Sequence, residues 1–547
     1  MYFKVFTILL YLFCTWTWAS AQKFLPDDPL TIDQDDLADV GEPRSRGLSD
    51  YYDFLQHTFM TPGNLSKKTA LNINTLGEVP DSSWFQNRHG QRRMTIEQLV
   101  RGPNSGDGPS RDGKWVVTQA KTEGITPGFR IRDPHGDIYV IKFDPLSNPE
   151  MATAADVISA KFFFAAGYNV PENYLAFFGR DELTVDPDAT ISVGLGPPRR
   201  MTESDLDQIL SRVYKTPDDR YRAVASKLLA GRPIGPFKYY GTRSDDPNDV
   251  IPHEQRRELR GLRVLSAWLN HDDSRAINTL DTVITENGPK YIRHYLIDFG
   301  STLGSGSVGA QKPRAGWEYI WEPAPVFRRI LTLGLWDSSW IRIPYPDLPS
   351  IGRFESTVFD PDQWKPEYPN PAFMNALPDD SYWAAKIVMA FSDDDIRAVV
   401  RTGGLTDQKA EQYLIQTLIE RRDKIGRHYI NGVLSTDHFK VNNGRLESEH
   451  LASLYGFAQR PSKYALAWFK FDNEKETKIP LGAESTVEGS AFPIPEDFLN
   501  DTAPYFGVDV WADDGHGQTD KSRKISIFLN RSATLRIVGI ERSWTGR

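Results

Sequence analysis

Residues 265–300 read LSAWLNHDDSRAINTLDTVITENGPKYIRHYLIDFG, and the rest of the chain is ordered around them. A helix ends at Asn270 or His271, and a short polar loop with Asp273 and Asn278 comes next. Two strand-like runs, 280–284 and 291–297, flank Glu286-Asn287-Gly288, which is the pattern of a hairpin. The second run leads directly into Asp298-Phe299-Gly300. His271, Asp273 and Asn278 meet the pattern H-x-D-x-x-x-x-N, and D-F-G comes after the hairpin. This order suits phosphoryl transfer to a hydroxyl. One carboxylate receives the hydroxyl proton, while an amide and a second carboxylate hold divalent metal on nucleotide phosphates. Either half alone is commonplace; their order and their helix and strand contexts make them informative.

Upstream, the run 138–143 (IYVIKF) alternates. Val140 and Lys142 share one strand face, with Ile141 and Phe143 on the other. A lysine in an apolar run must either snorkel outward or find an anion. Between the strand-like segments 115–121 and 129–133 lies a loop with Gly124 and Gly128, short of a full G-x-G-x-x-G. The helix expected over 149–166 carries Glu150, Ala154, Val157, Ile158, Lys161, Phe162 and Ala165 on roughly one face. Two readings of Glu150 stay open. It could pair with Lys142, or it could close an S-x-x-E capping box with Ser147. Asp156 faces elsewhere on this helix.

On H-x-D-x-x-x-x-N, D-F-G, the V-I-K-F of 140–143 and Ala165-Ala166-Gly167-Tyr168-Asn169-Val170-Pro171, the chain resembles the protein-kinase-like superfamily, and among its atypical members the HipA-type kinases. The resemblance covers roughly 113–430. It implies an α+β fold of two lobes, a β-rich N-lobe over 113–235 and a helical C-lobe over 236–433. It also implies ATP with Mg2+ or Mn2+ as cofactors and a hydroxyl acceptor. Lys142 would hold the nucleotide phosphates and Glu150 would orient it, with Gly124 and Gly128 in the covering loop. Asp273 would be the catalytic base, Asn278 and Asp298 the metal ligands, and His271 a brace for the loop. The chain departs from the family at Asp272, which stands where H-R-D has arginine. A partner for a phosphorylated activation loop is therefore missing. The segment 301–309 (STLGSGSVG) occupies the place of that loop.

The 547 residues exceed one ordinary core, so several structural units are expected. Apolar content of 39% and charged content of 25% suit a globular protein, and a net charge of −9 argues against nucleic acid as the main partner. Residues 1–21 have the form of a signal peptide: Lys4, an apolar run over 5–13, and Ala19-Ser20-Ala21 as an A-x-A cleavage site. The expectation is an exported chain, periplasmic or extracellular, without a transmembrane segment in its mature form. Cys14, the sole cysteine, lies in the removed segment, so no disulfide is expected. Residues 22–112, rich in Asp, Pro, Gly and Arg, read as an N-terminal arm wrapping the adjoining β-rich lobe. Strand-like segments dominate 434–547 and suggest a β-sandwich-like accessory domain. ATP is scarce outside the cytoplasm. Two rivals therefore stand beside a phosphotransferase: a pseudokinase that binds a ligand or partner, and a nucleotidyl (AMP) transferase on the same fold.

Overall fold

The computed structural model describes residues 22–120, 128–192, 197–285, 288–499, 502–513, 518–531 and 534–544. The expected signal peptide with Cys14, Gly124, and the turn residues Glu286 and Asn287 lie outside them. Residues 22–112 run across elements from distant parts of the sequence. Phe24 is buried against Phe469, Phe471, Phe528 and Val538, and Lys23 N–H donates to the Asn473 carbonyl at 3.1 Å. The arm then forms helices α1 (Asp50–Phe59) and α2 (Ile96–Arg101). A Thr95–Gln98 capping box satisfies the first turn of α2.

Alternating side chains then build a seven-stranded sheet. Its members are β1 (Trp115–Ala120), β2 (Gly128–Arg132), β3 (Ile138–Phe143), β4 (Asn173–Phe178), β5 (Leu183–Ile191), β6 (Arg199–Arg200) and β7 (Tyr221–Lys227), in the order β4-β7-β3-β2-β1-β5-β6. Only β1 and β5 pair in parallel. One face holds a core that includes Trp115, Val117, Phe129, Ile141, Phe143 and Phe178. Helix α3 (Met151–Ala166) packs near β3, β4 and β7 and is buried on all sides except at Phe164. Such a helix carries no polar stripe to mark its orientation. It stops at Gly167, whose φ of +126° suits glycine and where a Cβ would lie 2.3 Å from the Phe85 ring. Helix α4 (Glu203–Leu210) covers the sheet core with Leu206 and Leu210.

A second, three-stranded sheet has the order β10-β9-β8, with β8 at Arg232–Gly235, β9 at Thr279–Ile284 and β10 at Tyr291–Leu296. Helix α5 (Arg257–Leu269) delivers the chain to His271 and sinks Leu259, Leu262, Leu265, Trp268 and Leu269 into the largest core. That core also draws on α7 (Pro371–Asn375), α8 (Pro378–Met389), α9 (Asp393–Arg401) and α10 (Gln408–Ile430). Helix α6 (Pro323–Leu331) has no buried residue. Beyond α10, β11 (Thr436–Asn442), β12 (Arg445–His450) and β16 (Ala491–Pro493) form one sheet. The other sheet joins β13 (Lys463–Asp472), β14 (Thr477–Pro480), β15 (Ser485–Glu488), β17 (Tyr505–Ala512), β18 (Arg523–Asn530) and β19 (Arg536–Trp544). Leu446 and Phe492 from the first share a core with Tyr464, Leu466, Val508 and Ile527 from the second. The chain is mixed α+β.

Candidate functional site

The alternation of β3 decides where its lysine goes. Tyr139, Ile141 and Phe143 fill the sheet core, so Val140 and Lys142 face the opposite side. There they line a cavity of about 490 Å3. Its apolar walls come from Ala120, Phe129, Val140, Leu229, Leu280 and Ile297, and its polar end holds Lys142, Asp156 and Asp298. Gly128 pairs with Lys142 across the β2–β3 ladder.

Lys142 Nζ donates to Asp298 Oδ1 at 2.8 Å and to Asp156 Oδ2 at 3.1 Å. Burial disfavours its charge, but the two carboxylates outweigh burial and hold the ammonium above its ordinary range. Asp156 sits on α3 with its other oxygen accepting from Asn173 Nδ2 at 2.8 Å. It also accepts from the backbone N–H of Phe299. Burial and the Asp298 charge push its acidity down, against the pull of Lys142.

The expected pairing of Glu150 with Lys142 is not made, and neither is the Ser147–Glu150 capping box. Glu150 takes a left-handed φ of +67° just before α3 and makes no side-chain cap. Its carboxylate instead accepts from Thr406 N at 2.9 Å and from Thr406 Oγ1 at 2.8 Å. The first turn of α3 is capped by Asp144, which accepts from Thr153 N at 2.9 Å and Thr153 Oγ1 at 2.6 Å. Arg222 joins the same anchor, donating to the carbonyls of Gly403 and Gly404. With the helix entrance pinned in this way, its second turn comes level with Lys142 and Asp156 takes the pairing position.

His271, Asp273 and Asn278 occupy the loop after α5. Asn278 Nδ2 donates to the Asp273 carbonyl at 2.9 Å, and the Asn278 carbonyl accepts from Ile297 N at 3.0 Å. The second bond places the loop beside the residue preceding Asp298. Asp298 has φ +63° and leaves its side chain 43% exposed, so its carboxylate reaches Lys142 while staying open to the cavity. Phe299 stacks on Phe163 of α3 with ring centroids 5.0 Å apart, and the His271 ring lies 5.9 Å from it. This aromatic column ties α3, the polar loop and residues 298–300 together. Burial pushes the His271 ring down to about 4, so it is neutral.

Asp273 is pushed up to about 7 by burial and by the charges of Glu367 and Asp298, against the opposing pull of Arg275. Arg275 forms an ion pair with Asp273, and donates from Nη1 to Asp50 Oδ1 of α1 at 2.8 Å. The sequence alone did not single out Asn173, Arg275, Glu367 or Asp50. Asp272 turns inward, where its carboxylate accepts from Gln311 Nε2 at 2.9 Å. Burial and the neighbouring Glu367 and Asp273 hold it well above the carboxylate range.

Among the described residues no group of three His, Cys, Asp or Glu side chains could hold a metal unaided. Asp298 and Asn278 carry oxygen donors of the chemical kind that a hard cation such as Mg2+ takes, one or two from protein with water and phosphate completing its shell. A larger cavity of about 610 Å3 lies between the arm, α8 and the six-stranded sheet. Its charges satisfy one another: Lys386 pairs with Glu78 and Asp437, and Arg542 with Asp437. It gathers no comparable set of reactive groups.

No family model and no curated protein matches the chain. Among solved structures, the chain is similar to a Helicobacter pylori proinflammatory kinase, CtkA, at 13% identity and a TM-score of 0.30, covering 57% of this chain and 97% of that one. A likeness of that size is too slight to bear on function.

Proposed function

We propose that the chain is an exported kinase-like phosphotransferase, with the two-lobed arrangement in which the seven-stranded sheet and the helical body enclose a nucleotide. The reading rests on one observation. Lys142, Asp156 and Asp298, from three separate stretches, converge on an apolar-walled cavity; Asp273 is near enough to feel the Asp298 charge, and the Asn278 carbonyl accepts from Ile297 N. A plain structural ion pair would not require a half-exposed carboxylate at its open end.

In this reading the apolar walls take the base of ATP and Lys142 takes its phosphates. Asp156 fills the orienting role that the sequence assigned to Glu150. Asn278 and Asp298 would hold Mg2+ or Mn2+, which when bound neutralises charge on the transferring phosphoryl group. The acceptor hydroxyl attacks the γ-phosphorus, the bond from that phosphorus to the β,γ-bridging oxygen breaks, and the hydroxyl proton passes to Asp273. ADP leaves with the bridging oxygen. The acceptor is a hydroxyl of a protein, a glycan or a small molecule.

Incubation with Mg2+ and ATP labelled at either the γ- or the α-phosphate tests this directly. Label from the γ-position on protein or supplied hydroxyl acceptors is expected. Label from the α-position would instead mark a nucleotidyl transferase, and label from neither would favour a binding-only pseudokinase.

Asp273 also imposes a pH dependence. As a base it must be ionised, so kcat/KM is expected to fall about tenfold per pH unit below roughly 7. Its folded pKa is raised above the unfolded value near 4, so the native state retains a proton that the unfolded chain has lost. The same group therefore lowers fold stability as pH climbs from about 4 to about 7. A pH–rate profile flat across this range would remove Asp273 as the base.

A further inference from the structure

The segment after the candidate site ends in an apolar tip that none of the described residues covers. Helix α6 buries no residue, and Leu331, Leu333 and Leu335 are 83%, 91% and 90% exposed. Leu333 takes a left-handed φ of +51° beside Gly334, a backbone state that usually goes to glycine or asparagine. The turn thus carries leucine where a polar residue would fit better. Between Glu322 and Asp337 the chain has no carboxylate but has Arg328 and Arg329; Arg329 reaches Glu318 at 3.5 Å, while Arg328 is exposed. Arg328 lies over the Trp336 ring at 5.0 Å. The tip joins the arm through Phe59, whose ring is 5.0 Å from that of Trp321.

We propose that the tip 327–336 docks the protein onto an anionic lipid surface. Phe327, Ile330 and Leu331 share one exposed face of α6, and Leu333 and Leu335 carry the apolar patch past its end, the form of a short amphipathic element lying at a lipid interface. Exposure near 90% means that each side chain stands clear of its neighbours on nearly every side. A fluid medium that surrounds such a projection covers it more completely than a rigid facing protein would. Arginine and tryptophan beside exposed leucines match the interfacial layer, where guanidinium groups meet lipid phosphates and indoles sit at headgroup depth. Among the described residues no helix is long and apolar enough to cross a membrane, so the attachment is peripheral.

Sedimentation of the full chain with phosphatidylcholine vesicles, with and without phosphatidylglycerol, tests the proposal without any nucleotide. Its outcome is therefore independent of phosphoryl transfer. Binding to the mixed vesicles is expected, with a blue shift of tryptophan emission. The triple variant Leu331→Asp, Leu333→Asp, Leu335→Asp should weaken it at least about a hundredfold. Arg328→Ala with Arg329→Ala should weaken it roughly thirtyfold on mixed vesicles while changing binding to phosphatidylcholine little. The leucines and Arg328 are exposed, whereas Arg329 is partly buried and donates to Ser338 Oγ at 2.7 Å, so an unchanged melting temperature is the check that the variants remain folded. No sedimentation of the wild-type chain with either vesicle overturns the proposal, as does wild-type binding by the triple variant. Self-association abolished by the leucine substitutions, without lipid binding, would assign the tip to a second copy instead.

Discussion

Asp298→Asn is expected to reduce Mg2+-dependent γ-phosphoryl transfer by on the order of a thousandfold or more, while leaving the protein folded. The carboxylate is 43% exposed at the mouth of the cavity, so the fold does not depend on its charge in the way it depends on a sealed ion pair. An amide keeps the shape and can still accept from Lys142, but it loses the charge that a divalent cation needs. Radiolabel transfer with γ-labelled ATP measures the loss, and the far-ultraviolet circular dichroism should not change. Retention of more than a tenth of wild-type transfer would exclude Asp298 as a metal ligand. A matching substitution at Asn278 should act in the same direction with smaller effect, since it removes a neutral donor.

The second large effect separates two carboxylates at the entrance and second turn of α3. Asp156→Ala should cost about 3–5 kcal/mol of stability, because it removes the buried one of the two carboxylates on Lys142 and takes the side-chain acceptor from Asn173 and the Phe299 N–H. It should also weaken nucleotide binding, since Lys142 would swing toward Asp298 alone. Glu150→Gln retains an acceptor for Thr406 and should cost about 1 kcal/mol with little change in nucleotide affinity. Urea unfolding and nucleotide titration on both variants give the comparison. If Glu150→Gln proves the more damaging, the assignment of Asp156 as the partner of Lys142 fails.

Legibility from the residues alone varies with their surroundings. The hairpin, the strand bearing Lys142 and the long helices α5 and α10 come out of strong periodicity and turn chemistry. Lys142 Nζ lies 2.8 Å from Asp298 Oδ1, a meeting that the resemblance to the kinase-like superfamily implies but that no local pattern of the chain encodes. Periodicity misplaces Glu150 for a physical reason. It locates a helix face only when one face is polar, and α3 is buried almost throughout. A more telling signal lies in the same helix: Asp156 is the only acid within that apolar run, and a lone buried carboxylate must find a cation. Arg275 and Glu367 could not be tied to Asp273 from the chain alone, because Glu367 and Asp50 reach the loop from opposite sides in sequence. The α+β class needs only the count and alternation of apolar runs; the packing of α3 depends on contacts that no local pattern encodes.

The seat of Phe24 has a consequence for the order in which the molecule assembles. Its pocket is made by β13, β18 and β19, so the segment around Phe24 has nowhere to settle until strands more than 400 residues further along the chain have paired. The segment around Phe24 must wait while the intervening bodies form, even though the rest of the arm packs on them, and closing so wide a circuit is slow. A ribosome still holding β19 would therefore present a chain whose segment around Phe24 remains open to proteases. Pairing of β19 would act as the latch that secures the Phe24 segment.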